Sequence, residues 1–384
     1  MHSRAAARPT PGHEPLEGSA ILTLSAGQAR LEALASALAE LPGFEGVGLD
    51  ALQPMQVGGI AHDHLRVAGR GAVLRVPRLS QFGMAPEENL AYQAACFERA
   101  QPSGHTPRLL GVIPAGPALP FGALVVEEIV GRAVSLPGDL SGIAEALAAI
   151  HALPVPPPAE RAPLRDHREP VAATLDVILA QAEHLHDARL PPESLAAIAE
   201  ELGWARQFAA EIAAGLVAAG QPVRLVATDA HPGNFMIETR GRPVLVDLEK
   251  MLYGAPAIDL AHATLYTSTT WEPATAAALG IEQVAGFYRD YLARLPQSLA
   301  AALRPWLLPM RRITWLRTLT WMIRWRAISA ARPDDPALGG WSWARLNPAL
   351  RAHYLARVED FTDPETIRRI RSEWLDPSGL AALI

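Results

Sequence analysis

The sequence predicts an α+β fold with two lobes, a small β-rich N-terminal lobe and a larger, mostly helical C-terminal lobe. Strand-like segments rich in valine, leucine and isoleucine are concentrated in the first 130 residues. Alanine- and leucine-rich segments with helical periodicity dominate the rest of the chain. We therefore expect a loose arm over residues 1–20, an N-terminal lobe over residues 21–130 and a C-terminal lobe over residues 131–384.

The N-terminal lobe is predicted to be a small sheet with one helix packed on it. A first helix spans residues 27–41, where apolar residues recur at helical spacing. The segments "MQVGGIAHDHLRV" and "GAVLRVPR" are two strands joined by the short turn "AGR". Pro86 opens the helix "PEENLAYQAACFERA", whose first turn carries acids where the helix dipole favours them. A further pair of strands is "TPRLLGVIP" and "GALVVEEIVG".

The C-terminal lobe is predicted to be helical with a small β insert. The apolar helix "LSGIAEALAAIHAL" is followed by the stiff linker "PVPPPAERAP". Residues 170–219 form long helices, and the chain is again mostly helical from about residue 272. Between them lie two short strands, "VRLVA" and "PVLVDL". These strands flank the most polar motif of this lobe.

Composition limits the classes of function. Apolar residues make up 49% of the chain and charged residues 19%, which is typical of a globular protein. The net charge of −6 gives little electrostatic support to a nucleic acid partner. With no run of about 18 uncharged apolar residues, we expect no membrane span. The first 20 residues lack the apolar core of a secretory signal, and the single Cys96 fits a reducing compartment, so we expect a cytoplasmic protein.

The motif "TDAHPGNFMI", residues 228–237, places an acid and an amide on one turn, and "PVLVD" ends in a second acid. Phosphoryl transfer needs positioned phosphates, Mg²⁺ and a carboxylate near the attacking hydroxyl. Asp229 could orient and deprotonate that hydroxyl, while Asn234 and Asp247 offer the hard oxygen ligands that Mg²⁺ prefers. A Pro-Gly turn would direct Asp229 and Asn234 into one space. The alternative is that these two residues merely cap a turn.

The order "TDAHPGNFMI", "VLVDLEK" and "GAPAIDLA" resembles the aminoglycoside phosphotransferase and choline kinase-like family, which shares the protein-kinase fold. The usual pattern there is His-Gly-Asp-x-His-Pro-x-Asn, an Asp closing a strand, and Gly-Asp-Pro-x-x-Asp. The resemblance implies that Asp229 is the catalytic base, that Asn234 and Asp247 hold Mg²⁺, and that Asp259 is structural and bonds to the catalytic loop. It also implies ATP as the phosphoryl donor and a small-molecule acceptor.

The chain departs from that pattern at two positions, where Ala227 replaces the first His and Thr228 replaces the Gly. These departures keep open a second hypothesis, a catalytically silent nucleotide-binding module of the same fold. A kinase of protein substrates lacks support, because Asp247 and Asp259 are only 12 residues apart and leave no room for an activation segment.

The resemblance places the nucleotide in the N-terminal lobe. Gly58 and Gly59 would let a hairpin approach the phosphates closely, although such a pair is also a common hairpin turn. Arg75 stands where kinases usually have Lys, and it keeps the charge with a different geometry. Its expected partner on the next helix is Glu88 or Gln93. Glu88 could equally be a favourable first-turn charge.

The segment "LVVEEIVG" resembles the hinge whose backbone bonds the adenine, with Glu127, Glu128 and Ile129 as the contacts. In the C-terminal lobe, Glu249 would lie behind the metal site or face the substrate, and His231 would be structural.

The acceptor is expected near residues 304–327. Trp321 and Trp325 lie one turn apart, flanked by Arg317 and Arg324, and could line a pocket. The rings could bind a cationic amine, or the arginines an anionic acceptor. An apolar stripe on the same helix makes core packing the alternative for this segment.

Overall fold

The structure of the protein is a computed structural model. It describes residues 27–55, 61–217, 220–333, 335 and 348–384. The predicted arm, residues 1–20, and the glycine pair Gly58 and Gly59 lie outside the described residues. The strands are β1 Leu52–Pro54, β2 His62–Val67, β3 Ala72–Pro77, β4 Leu109–Ile113, β5 Ala123–Glu127, β6 Gly131–Ala133, β7 Arg224–Val226, β8 Phe235–Glu238, β9 Pro243–Leu245 and β10 Leu252–Gly254. The helices are α1 Gln28–Ala39, α2 Pro86–Ala100, α3 Leu140–His151, α4 Pro170–Ala182, α5 Pro192–Ala213, α6 Pro256–Thr264, α7 Tyr266–Thr269, α8 Ile281–Ala293, α9 Gln297–Ala331, α10 Pro348–Phe361 and α11 Pro364–Leu375.

The N-terminal lobe is a five-stranded antiparallel sheet with strand order β1-β2-β3-β5-β4. Side chains alternate between the two faces of a strand, and β3 shows the result. Leu74 and Val76 join the apolar cluster that contains Leu34 and Leu38 of α1. Val73 joins the cluster that contains α2 and the helical lobe, so Arg75, two residues on, also faces that lobe. Helices therefore cover both faces of the sheet, whereas the sequence predicted a sheet with one helix packed on it.

The β insert of the C-terminal lobe is larger than predicted. Strands β6, β8 and β9 form a three-stranded sheet, and β10 pairs with β7. Strand β6 lies so close to β8 that a Cβ on Gly131 would be 2.1 Å from the carbonyl oxygen of Ile237, so this crossing requires glycine. The loop between β7 and β8 carries residues 228–234 of the polar motif, and a strand on each side fixes its position.

The helices of the C-terminal lobe pack around α9, a 35-residue helix that contacts α4, α6 and α10. No described helix has the length and hydrophobicity that crossing a membrane would require. The small antiparallel sheet and the large helical body confirm the predicted two-lobed α+β architecture.

Candidate active site

The loop after β7 is held by a buried carboxylate. Asp259 on α6 accepts the backbone N–H groups of Ala227 and Thr228, each at 2.7 Å. His151 of α3 lies 3.0 Å from Asp259 through Nε2, and its Nδ1 lies 2.8 Å from the hydroxyl of Tyr291. Asp259 and His151 are both 0% exposed, so these bonds meet no competition from water. The structural role that the resemblance implies for Asp259 matches this geometry.

Thr228 has a left-handed backbone with φ of 62°, which is uncommon for a β-branched residue. This is the position where the family pattern has glycine. Besides its N–H bond, Thr228 donates its hydroxyl to the carbonyl of Lys250 at 3.0 Å. Arg317 of α9 donates to the carbonyl of Thr228 at 3.3 Å. Surrounding contacts thus hold a conformation whose strain costs roughly 1–3 kcal/mol in general.

Arg317 also lies 3.2 Å from Nε2 of His262, whose other ring nitrogen is 3.3 Å from the hydroxyl of Ser268. Burial, and next the charge of Arg317, lowers the pKa of His262 to about 3. The ring is therefore neutral near pH 7, and its Nε2 can accept a hydrogen bond from Arg317. This pair braces the loop beside Ala227, where the family His is missing. Sequence reasoning placed Arg317 beside a substrate pocket and missed this contact.

The predicted base, Asp229, is paired with Lys250, whose Nζ donates to Oδ2 at 2.7 Å. Burial raises the pKa of Asp229, but the Lys250 ammonium, with His231 and His262, outweighs it and holds the pKa far below its usual range. The Asp229 side chain is 29% exposed, so its carboxylate is reachable from solvent. Sequence reasoning did not consider Lys250.

Asn234 connects the base to the second acid. Its Nδ2 donates to the carbonyl of Asp229 at 2.8 Å, which fixes the amide and leaves its oxygen as a ligand atom. The carbonyl of Asn234 accepts the N–H of Val246 at 2.9 Å, one residue before Asp247. Asn234 is thus bonded to Asp229 through its side chain, and through its backbone to the segment that leads into Asp247. The structure therefore brings Asp229, Asn234 and Asp247 together.

Asp247 is the point where the two lobes meet. Arg75 of β3 donates to Oδ1 of Asp247 at 2.7 Å and to the carbonyl of Val246 at 3.3 Å. Burial raises the pKa of Asp247, but the charges of Arg75, His62 and Lys250 lower it further, so the carboxylate is ionised at neutral pH. Arg75 lies on the sheet of the N-terminal lobe, and Asp247 follows β9 of the C-terminal lobe. The ion pair therefore connects the two lobes.

Glu88 does not pair with Arg75, contrary to one of the two expectations. It lies exposed in the first turn of α2 and accepts the N–H of Ala85 at 3.4 Å, which is a helix-end role. Gln93 occupies the inward side of α2 and is 3% exposed, but its oxygen lies 3.0 Å from Nε2 of His62. Among the described residues, the carboxylate that pairs with Arg75 is that of Asp247.

Glu249 lies behind the cleft among polar side chains of the N-terminal lobe. Its Oε2 is 3.0 Å from Nδ1 of His62, although not aligned for a hydrogen bond, and Oε1 accepts from Gln81. Burial, and next the charge of Asp247, raises the pKa of Glu249 to about 8. Burial, and next the charge of Arg75, lowers the pKa of His62 to about 4. At neutral pH both groups are uncharged. The signal that could have indicated this contact is His62, a titratable residue in a buried strand.

The remaining predicted residues fall at the edges of the site. His231 accepts the N–H of Gly233 at 3.2 Å and caps the turn. At the predicted hinge, the N–H groups of Glu127 and Glu128 bond to the carbonyls of Arg108 and Gly71. Within the described part of the chain, the N–H of Ile129 makes no backbone hydrogen bond.

The two tryptophans predicted for the acceptor lie in the packing of α9. Trp325 is 2% exposed and has no ring face for a ligand, so its predicted role is wrong. Trp321 is half-buried and meets the ring of Trp271 edge to face at 5.9 Å. Its contact with an acceptor stays a prediction.

The donor set fits magnesium. No cluster of three or more His, Cys, Asp or Glu side chains able to hold a metal occurs among the described residues. Mg²⁺ is usually bound by one or two protein oxygens, with phosphate and water completing the octahedron. Asn234 and Asp247 supply two such oxygens.

Comparisons with known proteins agree on one fold. The model of the "Phosphotransferase enzyme family" (APH) matches residues 59–306. A putative aminoglycoside phosphotransferase from Ralstonia eutropha is 15% identical with a TM-score of 0.53, covering 85% of this chain and 98% of its own. Plasmodium vivax ethanolamine kinase is 12% identical with a TM-score of 0.51, covering 84% of this chain and 85% of its own. The GDP complex of aminoglycoside 2'-phosphotransferase-IIIa is 12% identical with a TM-score of 0.56, covering 86% and 98%. The comparison with curated sequences gives no match.

Proposed function

Because the chain belongs to the phosphotransferase enzyme family, we propose that it transfers the γ-phosphoryl group of Mg²⁺-bound ATP to a hydroxyl of a small molecule. The observation that supports this most directly is the connected set of Asp229, Asn234 and Asp247 in a cleft that Arg75 enters from the other lobe. We propose that the acceptor resembles an aminoglycoside, an amino alcohol or a sugar. The single buried Cys96 is consistent with work in the reducing cytoplasm.

The N-terminal lobe would hold the nucleotide. Of the three predicted hinge donors, the N–H of Ile129 is the one available for the adenine, because those of Glu127 and Glu128 are already used. The Arg75 guanidinium has a Cζ 5.7 Å from the centre of the Phe97 ring, and its buried shaft directs the charge at the cleft. It would share its donors between Asp247 and a phosphate oxygen. Asn234 and Asp247 would bind the metal, which supplies neutralisation of charge on the β- and γ-phosphates.

The C-terminal lobe would hold the acceptor. Its hydroxyl would donate to Asp229, so that the hydroxyl oxygen points at the γ-phosphorus. The new O–P bond forms as the bond to the bridging oxygen of ADP breaks, and the hydroxyl proton passes to Asp229. Because the transition state of phosphoryl transfer is loose, the carboxylate works chiefly by orientation, which its low pKa does not impair.

The test is coupled ADP release with ATP or GTP, Mg²⁺ and a panel of aminoglycosides, amino alcohols and sugars. Asp229→Asn keeps the shape of the side chain and should lower turnover by about 10²–10⁴-fold, the usual contribution of a positioned acid or base. Asp176→Asn, an exposed acid on α4, is the matched control and should match wild type.

Two outcomes would contradict the proposal. If wild type binds nucleotide but phosphorylates nothing in the panel, the silent-module hypothesis is favoured. If Asp229→Asn and Asp176→Asn turn over alike, Asp229 is not the base. Magnesium is tested separately, since turnover should stop with EDTA and return with Mg²⁺ while the fold, followed by circular dichroism, stays unchanged.

A further inference from the structure

Lys250 is the single lysine of the 384-residue chain, and every other basic residue among the 34 is an arginine. Arginine even stands at position 75, where the family resemblance leads one to expect lysine. The one lysine lies against the proposed base, with Nζ 2.7 Å from Oδ2 of Asp229. Lysine and arginine are not interchangeable where geometry matters, because an ammonium is a compact charge and a guanidinium a planar fork. The exception therefore marks a place where this chain needs an ammonium.

The backbone holds Lys250 in register with the catalytic loop. Its carbonyl accepts the hydroxyl of Thr228 at 3.0 Å, the residue just before Asp229. The Lys250 side chain is 25% exposed and that of Asp229 29% exposed, so a ligand can reach the pair from solvent. Asp247 lies three residues before Lys250 on the same short segment, so that segment carries both the ammonium and a proposed metal ligand.

Stabilising the fold is a poor explanation for this pair. A partly exposed ion pair contributes little to stability, because water competes for both charges. A lysine with no further role would occupy one of the two Asp229 oxygens without contributing to the reaction. A lysine at this position is explained if its ammonium also donates to a second group once the nucleotide is bound.

We propose that Lys250 is a catalytic residue that donates to the γ-phosphate of the bound nucleoside triphosphate while it remains in contact with Asp229. The inference rests on the proposed function of this site. An ammonium has three N–H donors, so one can bond to Asp229 and another to a γ-phosphate oxygen. Lys250 keeps its proton throughout, and the acceptor proton goes to Asp229. As the γ-phosphorus leaves the bridging oxygen of ADP and bonds to the acceptor oxygen, the ammonium remains beside the charge on the transferred group.

An arginine at position 250 would be poorly suited to this role, which explains why the chain has a lysine there. A guanidinium pairs with a carboxylate through two parallel hydrogen bonds. That arrangement would bind both oxygens of Asp229 and leave neither for the acceptor hydroxyl. The proposal therefore predicts that Lys250→Arg fails although it keeps the charge.

The test separates the γ-phosphate from the rest of the nucleotide by comparing the binding of Mg²⁺-ADP and Mg²⁺-AMP-PNP. Lys250→Met should weaken AMP-PNP by about tenfold, the equivalent of 1.4 kcal/mol, and change the Kd of ADP by less than about twofold. Turnover should fall by about 10²–10³-fold, as when one transition-state donor is removed elsewhere. Lys250→Arg should give nearly the same loss of turnover. Arg206→Met, an exposed cation on α5, is the control and should change neither.

A second measurement uses the folded wild type and does not depend on a variant folding. Reductive dimethylation can modify only Lys250 and the terminal amine, keeps the charge and removes two of the three donors. It should reproduce the loss of AMP-PNP affinity, and Lys250→Met treated in the same way controls for the terminus.

The proposal is overturned if Lys250→Met or the methylated protein binds AMP-PNP like wild type, if ADP and AMP-PNP weaken equally, or if Lys250→Arg is fully active. Failure of the proposed function gives a different result, since wild type would then turn over no acceptor. The difference between ADP and AMP-PNP binding would still decide whether Lys250 contacts the γ-phosphate.

Discussion

Replacing Asp259 with asparagine tests whether one buried carboxylate sets the catalytic loop. In the native protein Oδ1 accepts the N–H of Thr228, and Oδ2 accepts that of Ala227 and faces Nε2 of His151. Asparagine has the same shape but only one oxygen. If that oxygen stays on Thr228, the amide NH₂ group faces the N–H of Ala227, donor against donor. His151 can adapt by exchanging tautomers, because the hydroxyl of Tyr291 can donate or accept.

The expected loss follows from these contacts. One buried N–H left unpaired costs about 1–3 kcal/mol, and the other amide bond loses its charge assistance, which adds about 1 kcal/mol. Asp259→Asn should thus unfold with a free energy about 3 kcal/mol below that of wild type. Asp259→Ala removes both acceptors and should be worse, by about 3–5 kcal/mol, the range for breaking a buried polar pair by removing one partner.

Urea unfolding followed by circular dichroism measures the free energies, with Asp176→Asn as the exposed control. A functional measurement separates loop placement from general damage. Turnover of Asp259→Asn should fall while the Kd of Mg²⁺-ADP stays near wild type, because the Arg75–Asp247 contact does not involve Asp259. The reasoning is refuted if Asp259→Asn is within 1 kcal/mol of wild type, or if asparagine and alanine cost the same.

Three further predictions concern neighbouring contacts. Arg75→Met should weaken Mg²⁺-ATP binding about tenfold or more, since one charge-assisted bond is worth about 1.5–3 kcal/mol; unchanged affinity in calorimetry would argue against a phosphate contact. Thr228→Gly relieves the left-handed strain but loses the hydroxyl bond to Lys250, so its unfolding free energy should lie about 1 kcal/mol above that of Thr228→Ala, which loses the bond and keeps the strain; equal values in urea would contradict this. The folded pKa of Glu249, about 8, is above its unfolded value of 4.5, so the stability it contributes is present below pH 4.5 and lost as pH rises through 8. Between pH 6.5 and 8, folded His62 has already lost its proton, and its titration in the unfolded state is common to wild type and Glu249→Gln. Metal-free wild type should therefore lose stability relative to Glu249→Gln as pH rises through this window, and parallel profiles would refute the assignment.

The site residues that the sequence predicted lie close together in one short stretch of the chain. Asp229 and Asn234 are five residues apart on a turn, and Asp247 closes the next strand but one, so local geometry brings them together. Helix α2 was predicted to its exact bounds, because Pro86 and its acidic first turn mark the start. Periodicity also gave the two lobes. These features depend on residues that are close in sequence, so a single sequence is enough to predict them.

The missed contacts join residues far apart in the chain. Arg317 reaches back 89 residues to Thr228, and Arg75 crosses 172 residues to Asp247. No pattern within one element encodes such a partner, so Glu88 was a reasonable and incorrect choice for Arg75. Trp325 was misjudged for a related reason. A helix with neighbours on several sides buries more than one face, and a tryptophan off the apolar stripe of α9 is then still inside the core.

One short segment, residues 247–250, connects these local and distant contacts. Asp247 and Glu249 face the N-terminal lobe, where they meet Arg75, His62 and Gln81, while Lys250 faces the catalytic loop. A shift of the N-terminal lobe that moves Asp247 therefore also moves the carbonyl of Lys250, to which Thr228 is bonded. Because Thr228 precedes Asp229, the lobe that would hold the nucleotide and the proposed base are linked through only a few residues. Substitutions at the lobe contact should thus alter turnover as well as nucleotide affinity.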